Sequence, residues 1–285
     1  MMLMDYTENL VLNWLVGRPT SPLTALTPYL SLSSICPNDT TAVGAIPGEF
    51  TVGSNGYARY SLPGSSSNGF YGATAAGGAI SNPYIINMGT PSADWGACNA
   101  VMALTDATAG SDQLLWYIQT PIKNCLAGVP VSFPVGSLRI AMATGAILST
   151  TVANQICQWL VGLAGQAQKT VYLSLSSAVP AADGSGAAEI NPKTSGGVRL
   201  TVTHGGGAHF QANAANGMIA NAAVMDFQTP DKDMAGVSAI CICAYDNSAT
   251  IGSGTPIWWI PIPAKQLTNG VPIQIPIGAL LLSGD

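Results

Sequence analysis

His204 and His209 are the two histidines of the chain, five residues apart in HGGGAHF. Imidazoles in a glycine-rich loop are candidate metal ligands, but a zinc site draws on three or four donors. No CxxC pair and no Cys/His spacing of the zinc type accompanies them, so they read as polar loop residues. Asp226, Asp231 and Asp233 offer carboxylates for calcium, yet their spacing fits no EF-hand loop and reads as a solvated turn. GSSSNG at 64–69 is not the GxSxG turn of a serine hydrolase, and GSG at 252–254 lacks the strand–helix setting of a phosphate loop. Glycosidic acid–base work needs two carboxylates in a cleft; Glu8, Glu49 and Glu189 are expected to fall at unmatched places in the chain. Asn38-Asp39-Thr40 has the pattern of a glycosylation sequon and nothing more. The reading is therefore of a chain with no catalytic residue, no metal ligand and no cofactor.

The charges that do carry a pattern recur. Arg59 is echoed by Arg199, Asp94 by Asp233, Asp106 by Asp246, and Lys123 by Lys265. A repeated ligand contact is one reading. The preferred one is structural: ion pairs and turn bonds that tie loops to a scaffold, with Arg59 and Arg199 as the donors.

These echoes belong to a repeat that runs the length of the chain. NLVLNWLVG at 9–17 returns as NQICQWLVG at 154–162, YLSLSS at 29–34 returns unchanged at 172–177, and GGAISN at 77–82 returns as NGMIAN at 216–221. LLWYI at 114–118 answers PIWWI at 256–260, and GVPVSFPVGSL at 128–138 answers GVPIQIPIGAL at 270–280. The offset drifts from 145 to 139 and back to 142, as short loop insertions make it. An order kept over so many segments is the mark of tandem duplication. The seam is placed near 141–150, giving one domain at 1–143 and a second at 144–285.

Each copy opens on an amphipathic helix. Leu10, Val11, Trp14 and Leu15 share one side of the first, with Asp5 and Glu8 spaced as a capping box and Gly17 as the stop. Val152, Ile156, Trp159, Leu160 and Leu163 follow the same period in the second, with Ser149 to Thr151 as caps. Leu163 points to a slightly longer second helix. The rest reads as short strands bounded by Gly, Asn, Asp and Pro. YLSLSS alternates like a half-buried strand. In GVPVSFPVG, Val129, Val131, Phe133 and Val135 alternate, while Pro130 and Pro134 remove N–H donors from a single edge. Pro272 and Pro276 do the same in the second copy. Such a strand pairs on one side and is blocked on the other. The expected fold is mainly β: two tandem β-sandwich, jelly-roll-like domains, each preceded by one short helix. The repeated tryptophans Trp14/Trp159 and Trp116/Trp258 are read as core.

Composition narrows the function. Charged residues are 8% and hydrophobic residues 48%, with a net charge of −5. Nine scattered basic residues do not build a nucleic-acid surface, and no apolar run has the length of a membrane helix. MMLMDYTENL is not read as a secretory signal. Six cysteines, three in each half, are expected to be buried and reduced, with Cys241 and Cys243 on one strand face. Scarce surface charge favours packing against neighbours in an assembly, as a homo-oligomer or lattice.

The first copy also resembles a group of small virion proteins of tailed bacteriophages, of the tail-fibre-like or capsid-decoration kind. The likeness rests on YLSLSS, GYAR at 56–59, GGAISN, DWG at 94–96, ALTDA at 103–107, LLWYI and VSFPVGSLRI at 131–140, in that order. The second copy departs from it, with GGVRL in place of GYAR and DMAG in place of DWG. The resemblance implies a β-rich, non-catalytic virion part assembled in the host cytoplasm. On that basis the expected role is decoration or cementing of the capsid exterior, bridging neighbouring copies of the major capsid protein. The alternatives are a neck, tail or fibre component, and after it a receptor- or glycan-binding module.

Overall fold

A computed structural model describes residues 2–18, 23–38, 46, 48–63, 67–108, 112–142, 148–204, 208–211, 213–232 and 234–283. The first copy supplies β1 (Met2–Leu3), α1 (Asp5–Leu15), β2 (Tyr29–Ser33), β3 (Tyr60–Ser61), β4 (Ala79–Ser81), β5 (Ile86–Gly89), β6 (Gly96–Leu104), β7 (Leu114–Cys125), β8 (Val131–Phe133) and β9 (Arg139–Ala141). The second supplies α2 (Thr150–Leu160), β10 (Val171–Ser176), β11 (Leu200–Thr201), β12 (Met218–Ala220), β13 (Met225–Phe227), β14 (Ser238–Asp246), β15 (Pro256–Gln266), β16 (Ile273–Ile275) and β17 (Leu281–Ser283). The protein is mainly β, with its elements laid out twice.

Two compact units form. Unit 1 contains Met1–Glu8, Thr24–Met142 and Asn154–Gln166; unit 2 contains Asn9–Leu23, Ala143–Ala153 and Ala167–Asp285. The last two turns of each helix thus group with the strands of the other sequence repeat.

Unit 1 holds a five-stranded antiparallel sheet in the order β1-β7-β6-β2-β3, with two-stranded ladders β4-β9 and β5-β8. Unit 2 holds the order β11-β10-β14-β15, with ladders β12-β17 and β13-β16. The correspondence reaches individual registers. The β6–β7 pairing slips between Cys98 and Ala100 and again between Ala103 and Leu104; β14–β15 slips between Ala239 and Cys241 and between Ala244 and Tyr245. Bulges conserve the bend and twist they impose, so both long hairpins curve at equivalent places. Where Leu3 faces Trp116 in unit 1, Leu148 bridges Trp258 in unit 2.

Three local expectations are corrected. The YLSLSS strand is not half-exposed: Leu30, Ser31, Leu32 and Ser33 are all fully buried. β2 lies between β6 and β3, and the face carrying the serines is covered by a polar layer described below. Asp5 is the first helical residue rather than a cap. Glu8 donates its backbone N–H to the Met4 carbonyl, which makes Met4 the residue entering the helix. α2 is no longer than α1. Gly162 N–H bonds to Trp159 O and Leu163 N–H to Gln158 O, the pair of bonds that closes a helix on a left-handed glycine. Leu163 is the residue after that stop. Gly17 and Arg18 make the same two bonds, to Trp14 and Asn13. At the start of α2, Ser149 caps as expected, its Oγ accepting from Val152 N–H.

The proline-bearing strands are also shorter than their alternation implies. β8 and β16 span three residues each; Val129 and Val135 are 52% and 62% exposed, and Val271 and Ile277 are 51% and 64% exposed. Trp14, Trp116, Trp159 and Trp258 are buried in the core. Among the described residues no helix is long and apolar enough to cross a membrane.

Candidate functional site

The most highly organised polar cluster in each unit is an arginine–glutamate fork. In unit 1, Arg59 Nε and Nη2 donate to Glu49 Oε1 and Oε2, both at 2.6 Å. Arg59 Nη2 also meets Asp112 Oδ2 at 2.6 Å, and Nη1 donates to the carbonyls of Asp106 and Thr108 at 2.8 and 2.9 Å. In unit 2, Arg199 Nε and Nη2 donate to Glu189 at 2.6 and 2.8 Å, Nη1 to Ser248 O at 2.8 Å, and Nη2 to Ser253 O at 2.5 Å. Both guanidiniums are buried. A planar fork matched to a carboxylate is the strong form of ion pair, and its spare donors pin the loop that follows β6 or β14.

The fork sits on the serine face of the sheet. Ser31 Oγ donates to Glu49 Oε1 at 2.5 Å, and the Tyr57 hydroxyl accepts from Leu32 N–H at 2.7 Å. Burial is the first cause that pushes the Tyr57 phenol up to about 12. Unit 2 fills the equivalent space differently: Arg199 stacks over the Tyr245 ring at 3.3 Å, and Gly252 N–H donates to Glu189 Oε2 at 2.6 Å. Burial works against the Glu189 charge. The Arg199 fork, Ser174 and the Gly252 amide outweigh it, and the carboxyl lies below its ordinary range.

The other echoed charges make separate contacts. Asp94 Oδ1 accepts from Ala127 N–H at 2.7 Å; its echo Asp233 lies outside the described residues. Asp106 Oδ1 accepts from Thr108 N–H and Oγ1 at 3.1 and 3.2 Å in an Asx turn, bonds that lower its carboxyl. Asp246 instead receives Lys169 Nζ at 3.0 Å, and that ammonium stands 4.3 Å over the Trp14 ring. Lys123 and Lys265 do match. Each donates to the carbonyl between the two prolines, Ser132 at 3.0 Å and Gln274 at 2.7 Å. The seven described positions are therefore spread over each unit and do not converge on one pocket.

The residues with reactive side chains are equally dispersed. His209 Nδ1 accepts from Thr203 N–H at 3.0 Å, and burial lowers the basicity of both His204 and His209. Asp231 accepts from Thr194 N–H at 2.7 Å, and Asp226 is an exposed residue of β13. Among the described residues no cluster of three or more His, Cys, Asp or Glu is arranged to hold a metal. The six thiols are free; Cys241 and Cys243 share one buried strand face with sulfurs 3.9 Å apart, while Cys36 is only partly covered. Burial pushes the Cys157 thiol up to about 11. Residues 64–66 of GSSSNG and residues 39–40 of the sequon lie outside the described residues. A groove of about 410 Å³ in unit 1 runs between β7 and β8, past Ile118, Pro121, Lys123 and Phe133.

One pairing escaped the sequence reading, and so did the role of a second pair that the repeat had already aligned. Glu49 and Glu189 are equivalent, contrary to expectation: they stand 140 residues apart, as Arg59 and Arg199 do. The preceding YLSLSS strands stand 143 apart, and the shorter loop before Glu189 hides the match. The common offset of Glu and Arg was the available signal. Asn82 and Asn221 are the other pair. Asn82 accepts Leu138 N–H and donates to Tyr84 O and Pro134 O; Asn221 accepts Leu280 N–H and donates to Ala223 O and Pro276 O, at 2.7 to 3.0 Å throughout. Both are buried and tie the end of β4 or β12 to the turn before β9 or β17.

No curated protein matches the chain. One family model matches twice, over residues 2–141 and 147–283, once for each repeat. The chain belongs to the family described as podophage GP4 fiber I protein gp80, a family of phage virion structural proteins.

Proposed function

We propose that this chain is a non-catalytic part of a tailed-phage fibre, whose work is done by surfaces that the two repeats present in duplicate. The observation that carries the reading is the use made of the buried charges. Arg59, Arg199, Glu49, Glu189 and Asp112 hold loops to sheets, and among the described residues no carboxylate pair or activated nucleophile is set beside a cleft. The echoed charges act as scaffold, and the partners are other virion proteins, including further copies of this chain.

Decoration of the capsid exterior, bridging neighbouring subunits of the major capsid protein, is the second reading. It is favoured by the low charge content and by exposed apolar side chains that recur between units: Ile85 with Val224, Val129 with Val271, Val135 with Ile277. Apolar side chains at matched positions give one chain two like contacts, and the second then forms at high effective concentration. Absolute quantification of the chain in purified virions separates the two. A fibre part follows the tail's rotational symmetry, at roughly six, twelve or eighteen copies; a decorating protein follows the shell and runs to the hundreds. Absence from virions overturns both.

A further inference from the structure

Unit 1 seats the end of α2 through three bonds. Asn154 Oδ1 accepts from Gly78 N–H at 2.8 Å, the Trp159 indole donates to Thr24 O at 2.8 Å, and the Trp116 indole donates to Leu160 O at 3.1 Å. Unit 2 seats the end of α1 through the same three. Asn9 Oδ1 accepts from Gly217 N–H at 3.1 Å, the Trp14 indole donates to Ala167 O at 2.8 Å, and the Trp258 indole donates to Leu15 O at 3.0 Å. The closing glycine also fits its seat. A Cβ on Gly162 would come within 2.6 Å of Pro28 Cδ, and one on Gly17 within 2.6 Å of Lys169 O. In both units the occupant is written Asn, four residues, Trp-Leu-Val-Gly, and in both it is encoded by the other sequence repeat.

We infer that the two seats are equivalent receptors for this helix end, and that a second copy of the chain can fill them, linking chains by reciprocal helix exchange. The bonds made by an occupant from another chain are the bonds made within one chain. The closed and exchanged forms then differ chiefly in chain entropy and effective concentration, the condition under which exchange of identical elements links protomers at low cost. The recognition is specific to this chain's own pattern. The seat supplies a glycine N–H for the asparagine, a carbonyl for the first indole and a second indole for the helix's last carbonyl. Exchange needs the seated indoles to leave a buried site, so it belongs to folding or to assembly at high local concentration. This inference holds whether the chain serves the fibre or the capsid.

The test uses the unaltered full chain in isotopically heavy and light forms, unfolded together and refolded over a range of concentrations. Light scattering and cross-linking mass spectrometry are the readouts. The expected result is a heavy–light dimer whose ratio to monomer rises about tenfold per tenfold increase in chain concentration. Its interchain cross-links should join 150–166 of one chain to the Gly78 or Trp116 neighbourhood of the other. A complementation pair adds a second measurement. Trp159→Ala spoils the occupant of unit 1 and Trp116→Ala spoils its seat; refolded together they should yield a heterodimer that neither forms alone. Monomers at every concentration, with intrachain cross-links alone, overturn the inference.

Discussion

Glu49 and Arg59 meet through two parallel charge-assisted bonds of 2.6 Å each, both groups out of water and both bonded further by Ser31, Asp112 and loop carbonyls. Removing one member strands the other in a desolvated site, at a cost of about 3–5 kcal/mol. Arg59→Ala and Glu49→Ala should each destabilise unit 1 by that order, and Arg199→Ala and Glu189→Ala should do so in unit 2. Arg59→Lys should recover little, since an ammonium cannot make the fork. Denaturant unfolding of the single and double variants checks this. Additive single-variant losses would show that the groups act independently.

The pH dependence has a definite sign in unit 2. The folded state holds the Glu189 carboxyl below its ordinary value of 4.5, so its contribution is complete above that value and lost as pH falls through the folded one. His204 and His209 are both buried enough to resist protonation. The unfolded chain takes up those protons first, so stability falls as pH drops below the ordinary imidazole value of 6.5. Urea midpoints should therefore decline from pH 7 to pH 5. The His204→Gln, His209→Gln double variant should flatten that stretch and leave the loss below pH 4.5. A midpoint that rises on acidification to pH 5 would contradict the assignment.

The fold class, the duplication and the glycine stops of the helices were legible because each leaves a local mark. Left-handed glycines at 17 and 162 stop helices, and repeated strings at near-constant offset announce copies. What stayed hidden lies between segments. Ser31 and Ser33 look like a solvent face because alternation reports only polarity. A second buried face made of Glu49, Tyr57 and Arg59 is not visible from the strand itself. Seating of helix ends was illegible for a different reason. The two helices carry the same anchoring residues, so either assignment satisfies the pattern equally.

The asparagine knots give a sharper reading of loop anchoring. Asn82 and Asn221 use both the side-chain oxygen and the amide, and their own backbone groups bond as well. Asn82→Ala leaves the buried Leu138 N–H without its partner, and one unmet buried group costs about 1–3 kcal/mol; the Pro134 carbonyl keeps its bonds from Ser137. Asn82→Asp should be little better, because a carboxylate cannot donate to two carbonyls. Hydrogen exchange should show loss of protection at Leu138 in the first variant and at Leu280 in Asn221→Ala. Unchanged exchange at both amides would remove the knots from the account of stability.

The edges of β8 and β16 complete the argument about self-association. Successive residues of a strand direct their backbone groups to opposite sides, so Pro130, Ser132 and Pro134 share one edge while Val131 and Phe133 face β5. On that shared edge two donors are missing, and the Ser132 carbonyl is taken by Lys123; Pro272, Gln274, Pro276 and Lys265 repeat the arrangement. An incoming strand would find two of the edge's donors missing, the Ser132 carbonyl already taken and an ammonium in its way. The triple variant Pro130→Thr, Pro134→Thr, Lys123→Ala restores two N–H groups and frees the carbonyl. It should self-associate through added strands, raising the mean mass in light scattering above that of the parent chain at equal concentration. Restoring Lys123 alone should reverse part of the gain, because the lysine both occupies the carbonyl and carries charge. Equal masses for the parent chain and the triple variant would mean that the prolines shape the turns at Gly128 and Gly136 and guard no edge.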